Sequence, residues 1–312
     1  MTDLLYAVFV GPFRDIGSSP TFFAEVVLGG ILAGMLYSLV ALGFVLIFKA
    51  SGVFNFAQGV MVLFAALTLV GLMERGVPVV LALALTMAVM ILLAFAIERI
   101  VLRPLVNQEY IILFMATIGI NFFLEGFGEA LWGANVKKLD IGIPDSSFKV
   151  AGVLVNRLEL TAALTAAVLV TVLAVFFQST RIGRALRAVA DDHEAALSIG
   201  IPLKTIWVVV WSAAGLVAIA AGIMWGAKSG VQFSLSLIAL KALPVLILGG
   251  FTSVPGAIAG GLIIGVGEKI AEVYWGPLVN GAIENWFAYA LALVFLLFRP
   301  QGLFGEKIIE RV

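Results

Sequence analysis

The chain has no cysteine and one histidine, His193. Without thiols there is no disulfide, no iron–sulfur ligation and no cysteine nucleophile. One imidazole is too few for a histidine-based metal site. Charge is scarce too, at 12% of 312 residues against roughly 25% in a soluble domain. The 19 basic and 19 acidic residues cancel, so no basic excess draws the chain to nucleic acid. Catalytic patterns are equally absent: there is no HExxH, no GxSxG and no serine–histidine pairing. The nearest approach to a phosphate loop runs from Gly222 to Ser229, with Ala227 where the second glycine belongs and no α/β unit around it. The opening Met-Thr-Asp-Leu-Leu lacks the basic region and cleavage site of a signal peptide, so insertion is expected to rely on the first true span.

What fills the chain instead is hydrocarbon. Hydrophobic residues make up 62% of it, and several uncharged runs reach the length that crosses a bilayer as a helix. Barrel strands would alternate in polarity and would not give such runs. The expected fold is an all-α polytopic integral membrane protein, a single transmembrane domain over 1–312 with about eight to nine spans. Residues 1–21 read as a non-spanning segment. The first span covers Val26–Phe48 and carries Gly30 and Gly34 four apart, a face suited to close helix packing. Further spans are expected over about 53–73, Val79–Ile97, Tyr110–Trp132, Leu160–Phe177, Ile206–Gly226, 229–250, from Ala257, and Trp286–Phe298. Eight crossings result if the segment near 229–266 or the one around 53–73 is re-entrant. Glu98–Glu109, 133–159 and Glu268–Glu284 read as polar connections. Counting Lys and Arg in short loops puts the 179–205 loop and the 299–312 tail in the cytoplasm, with the N-terminus and the 133–159 loop outside.

One stretch breaks the apolar pattern. Residues 181–204 hold seven of the 38 formal charges. At helical spacing Arg184, Arg187, Asp191, Glu194 and Ser198 share one stripe, while Ile182, Leu186, Val189, Ala196 and Leu197 fall on the other side. Gly200 ends the pattern and Pro202 resists its continuation. Such a segment between spans reads as a water-facing connector built to touch a partner.

Polar residues inside apolar runs are the candidates for a pathway. Asn55 and Gln58 lie three apart, on one helical face, between Gly52 and Gly59. Unpaired amides in hydrocarbon are costly, so both are expected to face other helices or a cavity. Thr117, Asn121 and Glu125 form a second stripe at i, i+4 and i+8, continued by Glu129. An ionisable residue within a span is a functional candidate by default, and Glu125 is also the group that an ion-coupled secondary transporter would need at its midplane. Lys241 is expected either to snorkel to the interface or to pair with a carboxylate.

Four motifs together resemble one family. Gly52-Val53-Phe54-Asn55-Phe56-Ala57-Gln58-Gly59 is similar to the G-x-x-N-[FL]-A-[HQ]-G signature of LivH-type permeases of branched-chain amino-acid ABC importers. Arg181-x-Gly183-Arg184-Ala185-Leu186-Arg187, followed by Glu194-Ala195-Ala196-x-x-x-Gly200, resembles that family's EAA-like cytoplasmic coupling loop. Leu248-Gly249-Gly250-x-x-Ser253-x-Pro255-Gly256-Ala257 and Arg299-Pro300-x-Gly302-Leu303 also match. Gln58 and Val60 depart from the histidine and glutamate common in the first motif. The resemblance implies a permease subunit of a bacterial inner membrane with no cofactor or nucleotide site of its own, ATP and magnesium being bound by partner subunits. It implies as partners a second, homologous permease, two ABC ATPases and an extracytoplasmic substrate-binding protein. The coupling element would be Asp191, Glu194, Ala195, Ala196 and Gly200, with Arg184 and Arg187 anchoring it at the membrane surface. Relatives also carry urea, short amides or aromatic acids.

Overall fold

The computed structural model describes residue 6, residues 8–105, 108–191, 196, 198–279, 281 and 283–305. Among these residues eleven helices follow one another: α1 (Gly11–Ser18), α2 (Pro20–Ser51), α3 (Gln58–Glu74), α4 (Val79–Ala96), α5 (Tyr110–Trp132), α6 (Arg157–Ser179), α7 (Arg181–Asp191), α8 (Leu203–Ser229), α9 (Ile238–Gly249), α10 (Val254–Tyr274) and α11 (Ile283–Phe298). A hairpin, β1 (Ser147–Val150) with β2 (Val153–Asn156), interrupts them between α5 and α6. Among the described residues, six helices are long and apolar enough to cross a membrane, and three shorter apolar ones lie at Gln58–Glu74, Phe233–Gly249 and Trp286–Phe298.

The layout follows from where apolar residues surround a helix and where they cover one side. Both α2 and α3 are apolar all round, and both are central: Leu39, Val40, Ala41 and Val45 of α2 and Val60, Met61 and Val62 of α3 are fully buried. The outer helices α4, α5 and α6 each leave a row of large apolar side chains exposed, Leu81, Leu85 and Leu92 on α4 among them. A soluble protein would hide such rows; a bilayer covers them.

Helix α10 lies along α2 more extensively than any other helix, and glycines make that approach. A Cβ built on Gly30 would come within 2.6 Å of Val266 Cα, and one on Gly265 within 2.5 Å of Gly34 Cα. The small-residue face read from Gly30 and Gly34 is therefore a backbone-to-backbone seam.

Local signals set the helix ends. Gly52, at φ +68°, closes α2 with its N–H on Phe48 O. Asn156 caps α6 by accepting the Glu159 N–H at 3.0 Å. Ser253 caps α10 by accepting the Gly256 N–H at 3.0 Å, with Pro255 in the first turn.

Several expected boundaries move. The first span begins at Pro20, because Glu25 stays inside α2 and accepts the Leu154 N–H of the hairpin at 2.8 Å. The helical path of α4 continues through a π-type turn, Ile97–Leu102, and a 3-10 turn, Arg103–Leu105. There Arg103 pairs with the buried Glu98 through Nε–Oε1 at 3.2 Å and NH2–Oε2 at 2.9 Å. Helix α10 runs on to Tyr274, through Glu268, which had read as the start of a polar connection. The 133–159 segment holds the hairpin and the start of α6.

Ion pairs and ladder bonds identify the two ends of the bundle. Glu74 with Lys137, Glu159 with Lys228, and the Lys137–Val231 bridge gather at one end. At the other, Leu303 and Phe304 donate to the carbonyls of Leu248 and Gly249, close to the turn that opens α10, while α7 packs on the end of α6.

Candidate functional site

Two interruptions in the helical run meet inside the bundle. The first, Val53–Ala57, separates α2 from α3. Asn55 organises it: its Oδ1 accepts the Ala57 N–H at 3.1 Å, and its carbonyl accepts the Gln58 N–H at 3.2 Å. Thr117 on α5 supplies the remaining support, accepting the Phe56 N–H at 3.0 Å while its hydroxyl donates to Phe114 O at 2.8 Å. Backbone groups freed by a helix break need such replacements where no bulk water is present.

The second interruption follows α8. Gly230, at φ +79°, ends that helix; Val231 pairs with Lys137, and Phe233–Leu237 forms a 3-10 turn leading into α9. Gly59, in the first turn of α3, is where the interruptions touch. A Cβ there would lie 2.7 Å from Ala239 Cβ and 3.1 Å from the Ser236 carbonyl carbon. Only glycine lets the first turns of α3 and α9 approach this closely.

Beside this contact is a cavity of about 200 Å³. Phe44, Phe54 and Phe56 form one side, and Ser236 with the leucines of the second interruption forms another. Asn121 and Glu125 of α5 complete the wall, with the exposed Phe122 at its rim. Glu125 has no ion pair or hydrogen bond among the described residues. The cavity is therefore aromatic and aliphatic, with one carboxylate, one amide and one hydroxyl. The N-termini of α3 and α9 begin at its edge, and such ends carry partial positive charge.

The five pathway candidates thus separate by position. Asn121 and Glu125 line the cavity. Asn55 and Thr117 stand behind its wall and hold the first interruption. Gln58 is fully buried against Gly43, and neither polar atom of its amide has a partner among the described residues. Sequence reading missed Ser236, although Ser234 and Ser236 do interrupt an apolar run.

A second polar cluster lies outside the lining of this cavity. Lys241 of α9 pairs with Glu268 of α10 at 2.9 Å and with Glu284 of α11 at 3.2 Å. Of the two expectations for Lys241, pairing is the outcome, and the Glu268 side chain is only 2% exposed.

In the charged stretch, α7 is amphipathic as expected, with Leu186 and Val189 buried and Arg184 exposed. Arg187 donates to Phe177 O at 2.7 Å and Arg184 to Ser179 O at 3.3 Å, so both arginines cap the last carbonyls of α6. Asp191 ends α7. Ala196 is buried, Ile201 N–H returns to its carbonyl at 3.0 Å, and Gly200 sits at φ +84°. Glu194 and Ala195, with Asp192, His193 and Leu197, lie outside the described residues.

Comparison with known proteins gives one consistent result. The family described as the permease component of branched-chain amino acid transport systems matches residues 26–299. The high-affinity branched-chain amino acid transport system permease BraD of Pseudomonas aeruginosa is 27% identical over 308 residues, covering 93% of this chain and 98% of BraD. Escherichia coli LivH, named as the same kind of permease, is 28% identical over 311 residues, with coverages of 93% and 98%. A probable branched-chain amino acid permease of Methanocaldococcus jannaschii is 27% identical over 294 residues, covering 89% of this chain and 91% of its own.

Proposed function

The chain belongs to the permease-component family of branched-chain amino acid transport systems, and from that premise we propose that it forms one wall of the translocation pathway of an ATP-driven importer for branched-chain or related hydrophobic amino acids. The observation that carries this reading is the cavity where the two helix interruptions meet. Its chemistry suits a zwitterion with an apolar side chain. Glu125 faces the ammonium group, the N-terminal turns of α3 and α9 favour the carboxylate, and Phe44, Phe54 and Phe56 surround the side chain. Asn55, Gln58 and Thr117 set the shape of the interruption behind this wall.

The cavity opens on a face where Phe122, Leu237 and Leu240 are exposed, and a second, homologous permease is the partner that closes it. No nucleotide motif lies in the chain, so two ABC ATPases supply the energy and an extracytoplasmic binding protein delivers the substrate. The basic end carrying α7 faces the cytoplasm, as does the C-terminus, and the Glu74–Lys137 end faces outward. Within 179–205, the segment 191–200 transmits ATPase movement, with Arg184 and Arg187 fixing α7 to α6. Urea, short amides or aromatic acids are the competing cargo, and they lack either the ammonium group that Glu125 answers or the aliphatic side chain.

Uptake of labelled leucine into proteoliposomes containing the complete transporter tests this. Asn121→Ala and Glu125→Gln are each expected to slow uptake at least tenfold while the complex assembles. Replacing 191–200 should abolish uptake in an assembled complex. Wild-type uptake in both cavity variants would remove the cavity from the pathway.

A further inference from the structure

A separate cleft of about 360 Å³ lies at the α7 end of the bundle, between the last turns of α2 and α6 and the turn that opens α10. Its two halves differ sharply in chemistry. Toward the bundle it is walled by Leu46, Val170, Leu173 and Ile258. Toward the end it presents Lys49, Arg187, Gln178, Thr252 and Ser253.

No carboxylate lines the cleft among the described residues, and both charged groups are cations. Lys49 Nζ has no acceptor among the described residues. Arg187 uses NH1 on Phe177 O at 2.7 Å and NH2 on Gln178 O at 3.5 Å, which leaves some of its five N–H donors unspent. Ser253 accepts from Gly256 N, and its own hydroxyl hydrogen has no acceptor among the described residues. Helix α10 starts at this point and adds its positive end to the two cations. The cleft is a donor-rich, cationic socket for an oxyanion.

The apolar half decides what carries that oxyanion. From Phe177 to Val170 the wall follows α6 for seven residues, about 10 Å at the helical rise. A free phosphate leaves that half bare. Helix α6 also exposes Val168, Val172 and Val175 outward, so a membrane-facing helix forms one wall of the cleft.

We propose that the cleft binds an anionic phospholipid, with its phosphate between Lys49 and Arg187 and the start of an acyl chain against Leu46, Val170 and Leu173. Basic pockets between membrane helices hold anionic headgroups by the same combination. Because Arg187 belongs to α7, the bound lipid would tie that helix to α2 and α10.

The test is native mass spectrometry of the full-length chain in detergent, titrated with dioleoylphosphatidylglycerol or dioleoylphosphatidylcholine, with thermal unfolding read alongside. The anionic lipid should bind at least tenfold more tightly and raise the melting temperature. At about one basic contact's contribution per residue, Lys49→Gln should weaken it about fivefold, and Lys49→Gln/Arg187→Gln about thirtyfold. Lys49→Arg should retain binding. Lys49 has no intramolecular partner among the described residues, so its single variant keeps the test valid if loss of the Arg187 cap unfolds the chain. Lys204→Gln, on the exposed end of the same basic stretch, should bind like wild type. Equal binding of the two lipids, unchanged binding in Lys49→Gln, or an equal loss in Lys204→Gln would overturn the proposal. Displacement of the anionic lipid by millimolar inorganic phosphate would overturn the lipid and leave a soluble phosphate as the occupant.

Discussion

Gly29 and Gly30 are neighbours on α2 with opposite expected responses to the same methyl group. At Gly29 an added Cβ meets nothing within 4 Å, so alanine only improves the helix, by up to about 1 kcal/mol. At Gly30 the added Cβ lies 2.6 Å from Val266 Cα and 2.9 Å from Gly265 O. Ordinary contact begins near 3.4 Å, and both obstacles are backbone atoms, which have no rotamer through which to yield. Helices α2 and α10 must therefore separate by roughly 1 Å. A gap of that size forfeits a quarter to a half of each dispersion contact along the seam, and overpacking of this kind costs about 1–3 kcal/mol. Because α2–α10 is the most extensive helix contact in the bundle, the upper end applies. We expect Gly30→Ala to lose about 3 kcal/mol and Gly29→Ala to lose nothing. Thermal loss of monodisperse full-length chain, followed by size-exclusion chromatography in detergent, ranks the two. Gly30→Ala should fall on the order of 5–10 °C below wild type, and Gly265→Ala should behave alike. If Gly30→Ala melts within a degree of Gly29→Ala, the seam is looser than described and its glycines do not set the helix spacing.

Two further outcomes concern the polar groups inside the bundle. Thr117→Val keeps the shape of the side chain but leaves the Phe56 N–H without its acceptor, at about 1–3 kcal/mol; hydrogen exchange over 53–58 should speed up at least tenfold, whereas Thr117→Ser should not change it. Lys241→Met strands Glu268 and Glu284 without their cation and should destabilise by about 3–5 kcal/mol, while Lys241→Met/Glu268→Gln should recover more than half of that in the same melting assay.

The sequence declares what a single residue or a short spacing can declare. Uncharged runs located the long apolar helices, and Tyr110–Trp132, although it holds Glu125 and Glu129, agrees with α5 to the residue because Glu109 and Gly133 bound it sharply. Gly30 and Gly34 announced a close approach because their spacing puts both on one helix face. The sequence could not declare pairings between distant residues. Glu268 reads as the end of a span until Lys241, 27 residues earlier, is seen to meet it. Glu98 reads as a loop charge until Arg103 folds back on it. The hairpin was legible in principle, since Ser147–Val150 and Val153–Asn156 flank a two-residue turn; yet Ala151 at φ +51° occupies a place where asparagine or glycine is the usual signal. Asn121 and Glu125 were legible as a helical stripe, whereas Ser236 depended on how the chain after Gly230 folds back against Gly59.

The same contrast bears on how parts of the candidate site are held. Along α2 and α10, backbone meets backbone, so any sliding drives atoms together. The contact between the two interruptions is different: Gly59 in the first turn of α3 meets Ser236 of the 3-10 turn and Ala239 of α9. Directly behind it Gln58 is buried with both amide atoms unpaired among the described residues, a state that costs free energy as long as it lasts. Withdrawal of the first turn of α9 from Gly59 would open a route by which the Gln58 amide could find partners, although α9 itself is packed on α2, α10 and α11. Displacement of Asn55 would instead break the two hydrogen bonds that shape the loop, and movement of α5 would remove the Thr117 support. A movement on the α9 side of the cavity is thus the one that would relieve the buried Gln58 amide, at the expense of packing on α2 and α10. Since α9 also carries Lys241, that movement is restrained at its far side by Glu268 of α10, the partner helix in the glycine seam.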